Sequence, residues 1–376
     1  MMKNKMDERI ADIKIANKIL GLNKPCFFIA EAGVNHNGSL ETAKKLVDAA
    51  FYAGADAIKF QTFKAEDIVT PSAEQAEYQV KSIGKDSQYN MLKKLELSYD
   101  DFRGLKKYCD KKNIMFLTTP HSSKKDVDLA AELCPVIKVG SGDLTNLHIL
   151  KYMAETKLPI ILSTGMSTLD EIKEAVDVIL PINSQLVLLH CTTSYPVKYE
   201  QVNLRAMITL KNTFNLITGY SDHTEGIDVS VAAVAMGAKV IEKHFTLDRN
   251  MEGPDHKASI EPKEMRELVQ RIRHTEKDLS AGKKYEDIVK EMLGIEKALG
   301  NGIKKPYLEE INIAKVARKS IVADVDIKKD EKITNENIAI KRPGTGLHPR
   351  YFEEIIGKTA KKEIKKDEMI MLDDLK

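Results

Sequence analysis

The sequence contains no tryptophan and only four cysteines among its 376 residues. The cysteines lie far apart, and no two of them form a Cys-x-x-Cys pair. This excludes a dense disulfide framework, and we interpret the four as free thiols that pack as small hydrophobic groups in a reducing compartment. They are Cys26, Cys109, Cys134 and Cys191.

The sequence also lacks an excess of either charge, a long apolar run and a signal-like start. Its 58 basic and 56 acidic residues give a formal net charge of +2, so no global basic field would attract nucleic acid or a membrane surface. No apolar run approaches the roughly 18 residues that span a bilayer. Residues 1–14 are charged and no apolar segment follows them, so we expect no secretory signal and a cytoplasmic protein.

What the sequence does contain is an alternation of two hydrophobic patterns. Eight short apolar runs alternate with segments in which apolar residues recur every three or four positions, as in Leu40, Ala43, Val47 and Ala50. Eight successive strand–helix units over about 250 residues are typical of a (β/α)₈ TIM barrel, which they favour over a doubly wound sheet. The runs are Phe27–Ala30, Ala57–Phe60, Ile114–Leu117, Val136–Val139, Pro159–Leu162, Leu186–Leu189, Leu216–Thr218 and Val240–Glu242.

Three stretches depart from this alternation. Residues 64–98 form one long excursion after the second run, which we expect to be a lid or a binding loop. Residues 283–314 are charged and punctuated by glycines, so we predict a linker that follows a barrel domain of residues 1–282. Residues 315–376 are strand-like, and an Ile-Lys-Lys-Asp-Glu motif occurs twice in them. We predict a small, mostly β domain there, against the alternative that a lysine-rich turn recurs by chance.

Polar side chains lie at the predicted strand ends, where a barrel of this kind carries its chemistry. Lys59 and Lys138 stand inside apolar runs, where a lysine is costly unless it meets an anion. Small hydroxyl residues follow neighbouring runs and let backbone N–H groups approach an anion closely. The pattern predicts a receptor for a phosphate and a carboxylate on one small molecule, against the alternative of lysines that extend to solvent. The hydroxyl residues are Thr119, Ser141 and Ser163.

Two histidines, His223 and His244, stand at the ends of the seventh and eighth runs. Because adjacent strands lie about 4.8 Å apart, their imidazoles can share one divalent ion and leave positions open for water and a substrate oxygen. The alternative is a pair of hydrogen-bonding core histidines. Glu31 and Asp255 are candidate binders of sugar hydroxyls or proton carriers, although the Glu-Gly-Pro-Asp sequence that ends at Asp255 also favours a simple turn.

Several motifs, in order along the chain, resemble those of the sialic acid synthases. The segment 29–38, Ile-Ala-Glu-Ala-Gly-Val-Asn-His-Asn-Gly, is similar to the opening motif of that family, and Lys59–Phe63 and Lys138–Asp143 resemble the next two. The stretch from Glu242 to His256 is very specific to the family. Lys341–Gly346 resembles the signature of the antifreeze-like (SAF, β-clip) domain that these enzymes carry. The resemblance covers nearly the whole chain.

The resemblance implies a two-domain enzyme that condenses phosphoenolpyruvate, N-acetylmannosamine and water to N-acetylneuraminate and phosphate. It implies a divalent ion on His223 and His244, manganese first and magnesium or cobalt as alternatives, with Glu242 close to both histidines. The residues that match the phosphoenolpyruvate site are Lys59, Thr119, Lys138, Ser141, Ser163 and Ser221.

The resemblance also implies how the sugar is bound and how subunits assemble. Arg342 matches an arginine that the SAF domain of one subunit contributes to the active site of its partner, in a domain-swapped homodimer. The residues that match the sugar site are Glu31, Gln61, Tyr195, Asp255 and Arg342. Together, the residue pattern and the resemblance predict catalytic roles for Glu31, Lys59, Lys138, Glu242 and Asp255.

Two departures from the family pattern leave the identity of the sugar open. Thr193 stands where some members carry asparagine, and His121 stands where phenylalanine is common. Residues 247–252, Leu-Asp-Arg-Asn-Met-Glu, follow a variant that sialic acid synthases share with legionaminic acid synthases. The first alternative is therefore a legionaminic acid synthase acting on 2,4-diacetamido-2,4,6-trideoxymannose. More remote ones are a Schiff-base barrel aldolase, with Lys138 or Lys59 as its covalent lysine, and a non-catalytic sugar-binding protein.

Overall fold

The computed structural model describes residues 10–121 and 123–376, so the first nine residues of the charged N-terminal stretch lie outside the described part. Eight parallel strands form a barrel, and each contains most of one predicted apolar run. A hairpin precedes these strands, and two strands follow them. The strands are β1 Ile13–Ile15, β2 Lys18–Leu20, β3 Phe27–Gly33, β4 Ala57–Thr62, β5 Met115–Pro120, β6 Ile137–Val139, β7 Ile160–Ser163, β8 Leu186–Cys191, β9 Ile217–Asp222, β10 Val240–His244, β11 Ser320–Ala323 and β12 Ile338–Lys341.

The barrel strands β3 to β10 follow one another around the circle in chain order. Their ladders are parallel, and β10 returns to pair with β3, which places His244 opposite Glu31. At the seam, β5 and β6 lie side by side without a ladder between these described strands. Apart from that seam the circle is closed, and the predicted (β/α)₈ fold is confirmed.

Helices follow the barrel strands, as the alternation predicts. Among the described residues, no helix is both long enough and apolar enough to cross a membrane. The helices are α1 Leu40–Ala53, α2 Ala65–Ile68, α3 Glu77–Ile83, α4 Gln88–Lys94, α5 Tyr99–Lys112, α6 Lys124–Leu133, α7 Leu147–Glu155, α8 Leu169–Ile179, α9 Arg205–Phe214, α10 Asp228–Ala235, α11 Pro262–Ser280, α12 Tyr285–Lys290, α13 Ile295–Leu299, α14 Leu308–Ala317 and α15 Phe352–Ile355.

Helix α1 shows why these segments fold as they do. The Ser39 side chain accepts a hydrogen bond from the Thr42 N–H and so caps the first turn. Gly54 ends the helix in the left-handed conformation, with φ of +83°. Between these caps, Ala43, Val47 and their neighbours on the same face are fully buried in the barrel core, so the apolar stripe seen in the sequence is the face that packs on the strands.

The predicted excursion, residues 64–98, contains the three short helices α2, α3 and α4. Buried side chains such as Ile68, Met91 and Leu92 give it a small apolar cluster of its own. Because it follows β4, this cluster lies at the carboxyl ends of the barrel strands. The hairpin β1–β2 lies at the opposite end, where Lys18 contacts Asp56, the residue before β4, at 2.5 Å.

The stretch from 283 to 314, predicted as a linker, contains α12, α13 and the first part of α14. Both α12 and α13 pack against α10 of the barrel. The chain that follows folds around its own apolar core, with β11 and β12 paired antiparallel. The two copies of the repeated motif pair with each other: the Ile327 and Ile364 backbones exchange hydrogen bonds of 2.8 and 2.9 Å. Asp330 and Asp367 both adopt positive φ, 66° and 64°, so the repeat forms two equivalent turns.

The C-terminal domain is docked on the barrel by charged pairs. Lys319, next to β11, donates to Asp143 in the turn after β6, and both side chains are 1% exposed. An exposed pair, Arg350 with Glu174 of α8, lies 3.1 Å apart at the edge of the same contact. The buried pair fixes the domain beside the carboxyl ends of the barrel strands.

Candidate active site

The end of β10 shows how strand alternation selects the side chains that enter the barrel mouth. Glu242 and His244 line a pocket there, whereas Lys243 between them faces the other side of the sheet and pairs with Asp222 of β9 at 2.9 Å, fully buried. Every residue that the sequence analysis assigned to a site lines this same pocket. These residues are Glu31, Lys59, Gln61, Thr119, Lys138, Ser141, Ser163, Tyr195, Ser221, His223, Glu242, His244, Asp255 and Arg342.

Two lysines and two carboxylates form a buried network on the pocket floor. Lys59 Nζ lies 2.6 Å from Glu31 Oε2 and 3.9 Å from Glu242 Oε2. Lys138 Nζ approaches the same Glu242 oxygen at 3.5 Å. None of the four side chains is more than 8% exposed. Since two positive and two negative charges balance, the cluster can be buried without a net charge.

The two carboxylates differ in their affinity for a proton. Burial raises the pKa of Glu31 to about 7, although Lys59 opposes the shift. Burial also acts to raise the pKa of Glu242, but Lys138 and Lys59 together lower it below the ordinary value. Glu242 is therefore held as an anion between two cations, whereas Glu31 can exchange a proton near neutral pH.

The two lysines also differ. Burial lowers the pKa of Lys138. Burial acts in the same direction on Lys59, but the neighbouring Glu31 and Glu242 charges outweigh it and raise the pKa of that ammonium group. Both lysines need an anionic partner at this depth, and an anionic substrate is one such partner.

Hydroxyl groups surround the lysines. Lys59 Nζ donates to Thr119 Oγ1 at 2.6 Å, and Lys138 Nζ donates to Ser163 Oγ at 2.8 Å. Ser221 Oγ donates to Glu242 Oε1 at 3.0 Å. The lysine heads are thus oriented by short polar side chains at the strand ends, and the site can present both ammonium and hydroxyl donors to an anion.

The hydrogen bonds of His223 define which of its nitrogens is free to bind a ligand. Its Nδ1 lies 2.9 Å from the Thr192 carbonyl oxygen, which can only accept, so Nδ1 carries a proton and Nε2 is the nitrogen left to bind a ligand. Tyr195 Oη lies 3.3 Å from that Nε2. Burial acts to lower the pKa of His223, but Cys191 and the hydrogen bond to Thr192 outweigh it and raise the pKa to about 9. A divalent ion bound at Nε2 would therefore displace the proton on that nitrogen.

His244 lies beside His223, with ring centroids 5.4 Å apart. Burial lowers the pKa of His244 well below its ordinary value, so this imidazole is neutral. Its Nδ1 is buried and has no hydrogen-bond partner among the described residues. Two imidazoles, one with an unpartnered nitrogen, fit a divalent ion that prefers nitrogen ligands. No group of three or more His, Cys, Asp or Glu arranged for a metal occurs in the described ranges.

The other side of the pocket carries residues suited to a polyhydroxylated molecule. Gln61 Nε2 donates to Glu31 Oε1 at 3.0 Å. Burial raises the pKa of Asp255 to about 6. The ring of Tyr195 packs against that of Tyr78, from α3 of the excursion, with centroids 4.9 Å apart. The predicted lid therefore contributes an aromatic wall to the pocket.

Arg342 enters the pocket from the C-terminal domain. The backbone at Arg342 bonds to the excursion in both directions, donating to the Ile68 carbonyl at 2.8 Å and accepting from the Thr70 N–H at 2.9 Å. Its Nε has no hydrogen-bond partner among the described residues. Within one chain, Arg342 thus lies in the pocket of its own barrel, and its exchange between subunits stays a prediction.

Comparison with known proteins identifies the family of the chain that forms this pocket. Residues 46–284 match the NeuB family, and residues 318–376 match the SAF domain. The chain belongs to the NeuB family. It is 47% identical over 352 residues to the N,N'-diacetyllegionaminic acid synthase of Campylobacter jejuni, covering 92% of this chain and 99% of that protein. It is 44% identical over 344 residues to the enzyme of the same name from Legionella pneumophila, covering 90% and 91%.

A solved structure of similar architecture supports the assignment. The spore coat polysaccharide biosynthesis protein SpsE of Bacillus subtilis superposes with a TM-score of 0.80 at 35% identity, covering 97% of this chain and 99% of that one. NeuB-family proteins are condensing enzymes that use phosphoenolpyruvate and an amino sugar. The chain is therefore a phosphoenolpyruvate-dependent sugar acid synthase.

The NeuB-family pocket also contains residues that the sequence analysis did not assign to a site. Tyr78 and Gln79 come from the excursion, which was predicted as a lid without naming its contacts, and Ile313 comes from α14. His121 lines the pocket as well, with Nδ1 3.6 Å from Asp143 Oδ2. For His121, the sequence did offer a signal of a site residue, because phenylalanine is common at this position in the family. For the others, no local pattern indicates a contact that depends on distant chain segments.

Proposed function

We propose that this enzyme joins phosphoenolpyruvate to 2,4-diacetamido-2,4,6-trideoxymannose, giving N,N'-diacetyllegionaminate and phosphate. The main support for this reaction is that two buried lysines, Lys59 and Lys138, converge on Glu242 in a pocket rich in hydroxyl groups. This donor set suits the phosphate and the carboxylate of one small anion. The choice of sugar is supported by the names of the relatives at 47% and 44% identity.

In the proposed reaction, C3 of phosphoenolpyruvate forms a bond to the aldehyde carbon of the open-chain sugar, and the aldehyde oxygen gains a proton. The oxygen of a water molecule adds to C2, and its protons are released. The C2–O bond to phosphate then breaks, and phosphate leaves with the electron pair. Lys59 and Lys138 would hold phosphoenolpyruvate in line with the aldehyde, and such orientation lowers a barrier by about 7 kcal/mol or more when it is ideal.

Glu31 is the better supported candidate for the base that accepts a proton from water. A general base works best when its pKa lies near the working pH, and burial raises the pKa of Glu31 to about 7. Glu242, which the sequence analysis placed among the catalytic residues, has a lowered pKa between its two lysines. We assign Glu242 the role of holding Lys59 and Lys138 in place. Asp255, with a pKa raised to about 6, is the candidate proton carrier at the sugar.

The proposed divalent ion would be held by His223 and His244, with manganese as the first expectation and magnesium or cobalt as alternatives. The unpartnered Nδ1 of His244 and the engagement of His223 Nδ1 with Thr192, which leaves Nε2 for a ligand, support this donor set. When bound, such an ion acts as a Lewis acid toward a substrate carbonyl oxygen. Tyr195 packs against both imidazole rings, with centroids 4.4 and 5.8 Å away, and orients them.

Arg342 is proposed to bind an acylamino or hydroxyl group of the sugar, because its unpartnered Nε lies in a pocket whose other residues already account for the anion. The domain-swapped homodimer and the cytoplasmic location remain predictions. Family membership assigns the chain to phosphoenolpyruvate chemistry, so neither the Schiff-base aldolase nor the non-catalytic binder is retained.

Phosphate release from phosphoenolpyruvate, with manganese present, tests the choice of sugar. We expect turnover with 2,4-diacetamido-2,4,6-trideoxymannose and a kcat/KM for N-acetylmannosamine at least tenfold lower. The reverse preference would identify the N-acetylneuraminate synthase that the motif resemblance implied first. If neither sugar leads to phosphate release, the proposal as a whole is contradicted.

A further inference from the structure

A buried carboxylate outside the barrel ties two active-site loops together. Glu310, on α14, is 1% exposed. Its Oε1 accepts a hydrogen bond from the Met166 N–H at 2.7 Å and another from the Thr193 N–H at 2.8 Å. Its Oε2 accepts from the Tyr307 N–H at 3.1 Å and so caps its own helix. One side chain therefore joins the loop after β7 to the loop after β8.

Met166 is the residue most in need of such support. Its φ of +59° lies in the left-handed region that L side chains rarely adopt. Its N–H is held by Glu310, and its carbonyl accepts from Arg318 Nη2 at 2.6 Å. Arg318 is in turn paired with Glu171 of α8. A strained backbone conformation at a functional site persists only when its surroundings hold it, and here the segment after the barrel holds it from both sides.

The loop that Glu310 holds is in contact with the predicted phosphoenolpyruvate site. The Gly165 N–H donates to Ser141 Oγ at 2.9 Å. A Cβ at Gly165 would lie 2.1 Å from Thr193 Oγ1 and 2.8 Å from Ser141 Oγ, so the two loops meet without spare room. Ser163, which orients Lys138 at 2.8 Å, lies two residues before Gly165. A displacement of Met166 would therefore be transmitted to Ser141, Ser163 and Lys138.

Other residues near Glu310 touch the same rim. The carbonyl oxygen of Ala317, at the end of α14, lies 2.9 Å from where a Cβ of Gly142 would stand, which accounts for this glycine in the turn after β6. Lys304 is 6% exposed and donates to the Cys191 carbonyl at the end of β8, at 3.3 Å. The stretch predicted as a linker, together with the last residue of α14, thus contacts the loops after three adjacent strands.

We propose that Glu310 is a positioning residue for phosphoenolpyruvate, acting through the backbone of Met166 and Thr193. The inference rests on the proposed function, since it takes the Lys138–Ser163 side of the pocket as the phosphoenolpyruvate site. Glu310 touches no substrate. It supplies one acceptor oxygen, at a fixed reach, to two N–H groups.

Three substitutions in the full-length protein separate this role from general stability. Glu310→Gln retains an acceptor oxygen at the same reach, Glu310→Asp withdraws the acceptor by one methylene but retains the charge, and Glu310→Ala removes it. The matched control is Glu309→Ala, because Glu309 is the exposed neighbour on the same helix. The dissociation constant of phosphoenolpyruvate is measured by calorimetry with manganese present, and the KM of the sugar is measured by phosphate release.

We expect Glu310→Ala and Glu310→Asp to weaken phosphoenolpyruvate binding at least tenfold, with Glu310→Gln and Glu309→Ala within threefold of wild type. The KM of the sugar should change less than threefold in all of them. Wild-type affinity in Glu310→Asp, or a loss in Glu310→Gln equal to that in Glu310→Ala, would overturn the proposal. Binding is measured without sugar, so a wild-type protein that binds no phosphoenolpyruvate would instead refute the proposed function on which the inference rests.

Discussion

Substitution of Lys138 by methionine removes one cation from the balanced cluster on the pocket floor. Methionine is close to lysine in length and apolar, so the space is filled and the charge is lost. The single substitution leaves Glu31 and Glu242 with Lys59 alone. Removing one partner from a buried charge pair costs about 3–5 kcal/mol of unfolding free energy. With a slope of about 3 kcal/mol/M, the urea midpoint should fall by roughly 1–2 M.

A second substitution tests whether the lost charge balance causes the destabilisation. In Lys138→Met/Glu242→Gln the carboxylate that Lys138 faces at 3.5 Å is neutralised as well. The double variant should recover to within about 1 kcal/mol of wild type, because no uncompensated buried charge is then left. A double variant as unstable as the single one would refute the charge-balance reasoning.

The same two variants test substrate binding independently of stability. A hydrogen bond to a charged group contributes about 1.5–3 kcal/mol, so loss of Lys138 should weaken phosphoenolpyruvate binding by roughly 10- to 150-fold. Because the cation is absent from both variants, neither should regain wild-type affinity, even though the double variant recovers its stability. Calorimetric titration at fixed ionic strength measures this, and wild-type affinity in either variant would show that Lys138 is not an anion ligand.

Three further predictions concern the base, the arginine and the domain contact. Glu31→Gln should lower kcat by about 10²- to 10⁴-fold. In the wild type, kcat/KM should fall about tenfold per pH unit below about pH 7, because the raised pKa of Glu31 keeps this carboxyl protonated there. A kcat/KM that does not change between pH 5 and 7 would contradict the role of Glu31 as the base. Arg342→Ala should raise the KM of the sugar roughly 10- to 100-fold and leave the dissociation constant of phosphoenolpyruvate within twofold; an equal loss for both substrates would count against the assignment. Lys319→Met removes the buried cation opposite Asp143 and should lower the unfolding free energy by about 3–5 kcal/mol. Arg350→Ala removes only an exposed pair and should lower it by less than about 1 kcal/mol. Equal effects of the two substitutions in urea unfolding would show that burial does not set the contribution of these pairs.

The barrel and most of its pocket could be predicted because strand alternation is a local property of the chain. A residue in the last positions of a β-strand is assigned to one face by its position alone, which explains why Glu242 and His244 enter the pocket and Lys243 does not. The two lysines stand out for the same reason: a charged residue inside an apolar run has few stable alternatives to an anion partner.

The parts that could not be predicted depend on contacts between distant segments. Glu310 reaches Met166 and Thr193 across 144 and 117 residues of chain, and nothing in the sequence around Glu310 distinguishes it from an ordinary helix-capping acid. Tyr78 likewise reaches Tyr195 from within a long excursion. The charged, glycine-punctuated stretch from 283 to 314 suggested a linker because its short helices are stabilised by packing on α10 rather than by a strong helical period of their own.

In the proposed reaction, C3 of phosphoenolpyruvate becomes bonded to the aldehyde carbon of an amino sugar. Phosphoenolpyruvate labelled with ¹³C at C3 tests it directly, with the 2,4-diacetamido sugar and manganese present and the product observed by NMR. We expect the label to appear in a methylene group coupled to a hydroxyl-bearing sugar carbon, in step with phosphate release. Label recovered in the methyl group of pyruvate would mean that phosphoenolpyruvate is only hydrolysed, and would refute the proposed condensation.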